Sequence, residues 1–243
     1  METLVVNEIY SSLQGESSWT GLPCVFVRLT GCNLRCSYCD SAYAFHEGTR
    51  WDVEDVRRRI HELAQPYPIA PGAPRLPLVE FTGGEPLLQR PVFPLLTRLC
   101  DDGFRVLLET SGAVDIAPVD PRVHRIMDLK CPSSGEMHRN RWDNLACLRS
   151  ADEIKFVVGT AEDCQWVRDV IAQRALAAIC PLLVSWAAPL TTSPRDPSLR
   201  AVPEGQHPIG REELVRRILA DAWPVRFQIQ MHKILWAPDR RGV

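Results

Sequence analysis

The sequence predicts an α/β fold, an incomplete and open (β/α)6-type barrel within a single domain spanning residues 1–243. Three observations predict it. Strand-like apolar runs alternate with helical patterns, the signal for a parallel sheet joined by crossover helices. The alternation recurs about six times, short of the eight units that close a barrel. The chain carries no internal repeat, and 243 residues suit one large α/β domain.

CVFVRLT, residues 24–30, is the first clear strand and runs directly into a cysteine-rich loop. In DVEDVRRRIHELA, apolar Val53, Val56, Ile60, Leu63 and Ala64 recur at helical spacing behind Asp52, which is suited to cap the helix. PYPIAPGAPRLP, residues 66–77, carries five prolines, so it is a surface connection and not regular helix. LVEFTGGEP then reads as a buried strand ending in a glycine turn. A helix follows around 91–101, then the strands RVLLET at 105–110 and RIMDLK at 125–130. The pattern continues with a helix over 137–149, the strand EIKFVV, a long helix through 161–177 and the strand ICPLLVS. A second proline-rich loop fills 187–209, and the helix REELVRRILADAW leads to the strand VRFQIQM and a short tail.

Lys and Arg total 28 against 30 Asp and Glu, a net charge of -2, so no broad electrostatic field argues for nucleic acid or an anionic membrane as partner. The start, METLVVNEIY, lacks the basic and apolar regions of a signal peptide, and no apolar run approaches a membrane span. The chain reads as cytoplasmic. Nine cysteines is an odd count, and Cys24, Cys100, Cys131, Cys147, Cys164 and Cys180 stand singly in apolar contexts. In a reducing compartment such residues are small buried hydrophobes.

Chemistry concentrates in GCNLRCSYCDS, residues 31–41, where Cys32, Cys36 and Cys39 supply three thiolates and no fourth. Three thiolates at this spacing can hold three irons of a [4Fe-4S] cubane and leave the fourth iron open to a non-protein ligand. A zinc site completed by a distant side chain, or three free thiols, are the plainer readings. A second motif, TGGEP from Thr82 to Pro86, ends a strand on the same rim of the sheet. Its paired glycines allow close backbone approach, and Glu85 with nearby carbonyls can accept hydrogen bonds from an ammonium group. Alone, GGEP is a tight turn; beside the cysteine loop it becomes a second wall of one pocket. Arg28, midway along an otherwise apolar strand, must be paired if buried, and a substrate carboxylate is a natural bidentate partner.

The three-cysteine loop followed by GGEP resembles the radical S-adenosylmethionine superfamily. The resemblance implies that the methionine end of S-adenosylmethionine occupies the open iron, and that reductive cleavage yields a 5′-deoxyadenosyl radical that removes a substrate hydrogen atom. A narrower match runs through NEIYSSLQGES, FVRLTGCNLRCSYCDS, TGGEP, LLETSG, DLKCPSSGE and the terminal MHKILWAPDRRGV. Together these resemble the 7-carboxy-7-deazaguanine synthase family. That resemblance implies a lyase that converts 6-carboxy-5,6,7,8-tetrahydropterin to 7-carboxy-7-deazaguanine with loss of ammonia, toward queuosine and other deazapurines. It also implies a homodimer with a truncated barrel, served by an electron donor such as flavodoxin or ferredoxin. A glycyl-radical activase, which shares cluster and GGEP, is the alternative enzyme; a zinc-stabilised binding module is the non-enzymatic one.

Site roles follow from the resemblance by matched motif. Cys32, Cys36 and Cys39 hold the cluster; Tyr38, Cys39, Asp40, Gly84, Glu85, Ser133, Ser134 and Gly135 contact S-adenosylmethionine. Leu13, Gln14, Gly15, Glu16, Arg28, Thr82, Glu109, His232 and the terminal carboxylate of Val243 meet the pterin. Ser41 stands where the family often places a threonine hydroxyl on Mg²⁺, so it keeps the oxygen and loses a methyl group. Ser185, where the family usually has glutamine, is assigned no role.

Overall fold

Apolar runs alternating with amphipathic helices fold into one sheet of nine strands, which the computed structural model describes for residues 2–68, 75–190, 195–237 and 240–243. In chain order the strands are β1 (Thr3–Leu13), β2 (Pro23–Leu29), β3 (Thr49–Asp52), β4 (Leu78–Gly83), β5 (Val106–Thr110), β6 (His124–Asp128), β7 (Glu153–Val158), β8 (Leu182–Trp186) and β9 (Arg226–Gln228). Their spatial order is β3-β1-β2-β4-β5-β6-β7-β8-β9. β2 and β4 to β9 are parallel, whereas β1 runs antiparallel to both β2 and β3. No pairing joins β3 to β9 among the described residues, so the barrel is open as the sequence predicts.

The α-helices are α1 (Val53–Ala64), α2 (Val92–Asp101), α3 (Ala161–Gln173), α4 (Arg211–Ala220) and a single turn, α5 (His232–Leu235). α1 lays Val56 and Ile60, both fully buried, on the outer face of the sheet, and α2 adds Leu95, Leu96 and Leu99. Thr160 and Asp163 start α3 with a reciprocal capping box. The outer positions of the strands, such as Val25, Val27, Val79, Phe81 and Phe156, join these helices in the main core. Because strand side chains alternate, the intervening residues face inward. Low in the barrel they are apolar, with Cys24, Phe26, Leu78, Leu107 and Ile126 forming a second cluster. Higher up they turn charged and polar: Arg28, Thr82, Glu109, Asp128, Lys155 and Ser185. That change of character along the same inward rows is what creates a polar cavity above an apolar floor.

Two helix expectations are corrected. No α-helix forms over 137–149; Met137–Arg139 and Trp142–Cys147 are short 3-10 turns. Asn140 there bonds both backbone groups of Lys130, and the Asn144 amide reaches Gly112 and Val114, so both side chains compete with helical pairing. The helix expected through 177 stops at Gln173, because Ala175 adopts a left-handed conformation at φ 49° and a 3-10 turn follows. β1 was not legible as a strand, although it supplies part of the cavity wall. Asp52 does sit at the N-cap of α1, but its side chain makes no capping hydrogen bond. Residues 69–74 and 191–194 of the two proline-rich loops lie outside the described residues.

Candidate functional site

The cysteine loop is shaped by glycine before any ligand enters. Gly31 takes φ 98°, and its carbonyl accepts from Glu85 N at 2.8 Å. A Cβ on Gly84 would collide with the Gly31 carbonyl oxygen and lie 2.8 Å from Cys32 Cβ, so glycine is required there to seat GGEP against the cysteine loop. Arg35 caps the loop from outside, donating to Cys32 O at 2.8 Å and Leu34 O at 2.7 Å. Burial pushes Cys36 up to about 11 and Cys39 up to about 12, and raises Cys32 as well, so these thiols give up their protons only to a strong cationic partner such as iron.

Cys32, Cys36 and Cys39 line a single cavity of about 570 Å³ together with Tyr38, Asp40, Ser41 and Gly84. Tyr38 Oη and Asp128 Oδ1 are buried beside it without a hydrogen-bond partner among the described residues. Three thiols on one wall, a glycine ledge against them and unpaired polar atoms nearby fit an iron–sulfur cluster carrying a polar cofactor. Among the described residues no three His, Cys, Asp or Glu side chains gather at one ion-sized point. The loop's outer support comes from Ser133 and Ser134, whose carbonyls accept from Ser37 Oγ at 2.6 Å and Ser37 N at 3.0 Å.

The opposite wall carries the expected pterin-contact residues. Leu13, Gln14, Gly15, Glu16, Arg28, Thr82, Glu109, His232 and Val243 all line this same cavity. Arg28 is paired within the protein: Nε donates to Glu8 at 2.7 Å and a terminal nitrogen to Tyr10 Oη at 3.1 Å. Glu8 lies directly across from Arg28 in the β1–β2 register, and Tyr10 stacks on Phe26 two pairs along, on the same face. Lys155 Nζ bridges Glu109 at 2.6 Å and Glu16 at 3.2 Å. Burial alone would lower Lys155, but Glu109 and Glu16 outweigh it and hold the ammonium well above 10.5, while Lys155 in turn outweighs burial and lowers Glu109. His232 packs so closely that a Cβ on Gly15 would stand 2.8 Å from its Nδ1. Burial keeps His232 below its ordinary 6.5.

Some expected contacts are placed elsewhere. The Glu85 carboxylate is fully buried, receives Thr110 Oγ1, Ser111 N, Ser111 Oγ and Leu87 N, and does not line the cavity. Its acceptor capacity is spent on bracing the β4 and β5 ends together. Ser133, Ser134 and Gly135 also lie off the cavity, because Asp163 at the start of α3 accepts Ser133 N at 2.8 Å and draws that turn under the cysteine loop. Ser185 does line the cavity and accepts from Gln228 at 3.0 Å. The sequence reading missed Glu8, Tyr10, Tyr43, Glu80 and Lys155. The inward positions of EIKFVV offered the one available signal, a lysine in a buried strand.

The tail is tied to the cysteine loop. Lys233 of α5 meets Asp40 at 2.6 Å and, against the cost of partial burial, brings that carboxyl down to about 2. Arg241 pairs with Glu47 at 2.5 Å and stacks over the Tyr43 ring at 3.8 Å.

Residues 26–131 match the radical SAM superfamily. A 7-carboxy-7-deazaguanine synthase of Koribacter versatilis is 40% identical over 98% of this chain and 99% of that protein. The enzyme of that name from Chlorobaculum tepidum is also 40% identical, over 99% of this chain and 97% of that protein. In fold, the chain is similar to the crystal structure of QueE from Escherichia coli, with a TM-score of 0.67 at 22% identity over 95% of each chain.

Proposed function

The chain belongs to the 7-carboxy-7-deazaguanine synthase family, and on that premise we propose that its cavity converts 6-carboxy-5,6,7,8-tetrahydropterin to 7-carboxy-7-deazaguanine with loss of ammonia. One observation carries this reading: the three cysteines and the residues of both the LQGE turn and the C-terminus line a single cavity. Relatives that span the whole chain carry the synthase name, which leaves no feature favouring a glycyl-radical activase.

When bound, the cluster on Cys32, Cys36 and Cys39 and S-adenosylmethionine supply the one-electron cleavage that generates a hydrogen-abstracting 5′-deoxyadenosyl radical. The protein's own part is orientation and exclusion of water. Tyr38, Gly84 and Asp40 form the cofactor wall. Gly84 lets the backbone come close, and Tyr38 offers an unpaired hydroxyl. Arg28, held by Glu8 and Tyr10, keeps N–H groups of its guanidinium for the substrate carboxylate, and pre-pairing fixes its orientation before substrate arrives. Glu109 and Glu16, oriented by Lys155, accept ring N–H and amino hydrogens, and the Val243 carboxylate accepts at the opposite edge. Neutral His232 stands between Gly15 and the tail.

Ser41, whose hydroxyl lies on the cavity wall, would help to hold Mg²⁺, an oxygen-seeking ion that would supply positive charge beside the substrate carboxylate. Residues 1–243 act as one domain, two copies form the working dimer, and a low-potential carrier such as flavodoxin or ferredoxin delivers the electron. No helix among the described residues is long and apolar enough to cross a membrane. Anaerobic incubation of reconstituted protein with reductant, S-adenosylmethionine and the carboxytetrahydropterin tests the assignment. A product with the mass of 7-carboxy-7-deazaguanine supports it, and cofactor cleavage that leaves the pterin unchanged overturns it.

A further inference from the structure

Glu80 is a buried carboxyl that the scheme above does not use. It projects inward from β4, two residues before Thr82, lines the cavity and is 2% exposed. Its register neighbours are Phe26 on β2 and Leu107 on β5, so apolar side chains flank it on both sides at the level of the apolar floor. Every other acidic side chain lining the cavity contacts a cation. Glu8 meets Arg28, Glu16 and Glu109 meet Lys155, Asp128 meets Lys130, and Asp40 meets Lys233. Glu80 has no cationic contact among the described residues. Its one hydrogen bond comes from the Gln14 amide to Oε2, and Gln14 is held in that orientation because its own Oε1 accepts Glu16 N at 2.8 Å. Among the described residues Oε1 of Glu80 has no hydrogen-bond partner.

An unpaired carboxylate buried against apolar neighbours gives up its charge in preference to keeping it. The titratable groups facing Glu80 are Glu109 on β5, Lys155 on β7, Glu16 beside Gln14, Arg28 and Cys24 on β2, and Tyr10 on β1. Burial first, then the Glu109 charge, pushes Glu80 well above its ordinary 4.5, with Glu16 adding to the rise and Lys155 and Arg28 opposing it.

We propose that Glu80 is a specificity-determining residue: a neutral carboxylic acid whose O–H donates from the cavity floor to an acceptor atom of the bound heterocycle, a ring carbonyl oxygen or an unprotonated ring nitrogen. The proposal rests on the pterin reading above. Glu16, Glu109 and the Val243 carboxylate only accept hydrogen bonds, whereas a pterin edge presents acceptors as well as donors, and Glu80 adds a donor at the cavity floor. A fixed donor there also discriminates against heterocycles that lack the matching acceptor.

Difference infrared spectroscopy of ligand-free protein, wild type against Glu80→Gln at neutral pH, reads the protonation state without requiring turnover. A carboxylic acid C=O band present in the wild type and missing from the variant supports the proposal; its absence from the wild type overturns it whether or not the enzyme turns over pterin. In steady-state kinetics the wild-type KM for pterin is expected to rise at alkaline pH as the Glu80 donor ionises, whereas Glu80→Gln, whose amide donor does not titrate, shows no such rise. Glu80→Leu, which retains none, raises KM about tenfold with kcat little changed. Equal KM in wild type, Glu80→Gln and Glu80→Leu would overturn the assignment while leaving the reaction intact. Should Glu80→Leu fail to fold, the infrared band and the Glu80→Gln profile decide.

Discussion

Arg28 stands one residue before the end of β2, and its charge is legible as an anomaly because every neighbour in the strand is apolar. Its partner was not. Glu8 reaches Arg28 only because β1 pairs antiparallel with β2 and because the register shifts between Val6 and Glu8, a bulge that no local pattern announces. Arg28→Ala leaves the partly buried Glu8 with only the Tyr43 hydroxyl as partner, so it is expected to cost about 3 kcal/mol and to weaken pterin binding while S-adenosylmethionine binding persists. Equilibrium binding of each ligand to folded variant checks this; equal loss of both would make Arg28 a folding residue. Arg28→Lys restores the charge without the planar fork and is expected to recover binding only in part. Among the thiols, alanine at Cys32, Cys36 or Cys39 is expected to abolish the cluster's visible absorption, and alanine at Cys100 or Cys147 to preserve it. Iron and sulfide content measured after anaerobic reconstitution distinguishes the two groups.

At the scale of elements, the cavity depends on segments far apart in sequence being locked at close range. Gly15 and α5 are the tightest case: Met231 N donates to Gly15 O at 3.1 Å, and the space above Gly15 belongs to His232. Gly15→Ala therefore has to displace the His232 ring, and is expected to lower pterin turnover by about tenfold or more while leaving the cluster spectrum unchanged. Unaltered turnover in a folded Gly15→Ala protein would remove this contact from the mechanism. The family resemblance alone places the tail beyond α5 at the pterin, and Val243 lines the cavity; the clasps of the tail, Lys233 on Asp40 and Arg241 on Glu47 and Tyr43, are visible only in three dimensions. Deleting Gly242 and Val243 is expected to depress turnover sharply, with uncoupled S-adenosylmethionine cleavage still detectable by chromatography. GGEP shows the converse limit. The sequence points its glycines at a ligand, whereas the contact the structure shows for Gly84 is with the Gly31 carbonyl and Cys32, and the Glu85 carboxylate, expected at the cofactor, is already saturated by the ends of β4 and β5.

Across the whole molecule, the parallel strands were legible because both of their faces are covered over much of their length and read as apolar runs, as in Val79, Phe81, Val106 and Leu108. β1 and β3 escaped notice because an antiparallel edge with mixed burial offers no such run, and 137–149 misled because helical spacing there is overridden by Asn140 and Asn144. The inward rows carry the reaction's electrostatics, and they also give stability a pH dependence. Glu80 binds its proton more tightly when folded than at the ordinary 4.5 of the unfolded chain, so between 4.5 and the raised folded value the native state holds the extra proton. Its contribution is therefore full below 4.5 and is lost as pH rises through that window, by at most about 1.4 kcal/mol per pH unit. Glu80→Gln is expected to remove that slope, which denaturant unfolding at about pH 6 and about pH 8 measures; an unchanged slope would assign the pH dependence to other groups.

The central claim is that one cavity brings the cofactor's reactive carbon and the pterin within hydrogen-transfer distance of each other. Incubating the reconstituted enzyme anaerobically with pterin deuterated on its carbon framework, then weighing the 5′-deoxyadenosine by mass spectrometry, tests that claim most directly. Deuterium appearing in 5′-deoxyadenosine alongside 7-carboxy-7-deazaguanine is the predicted result. Formation of 5′-deoxyadenosine with no deuterium and no deazapurine would contradict the shared cavity.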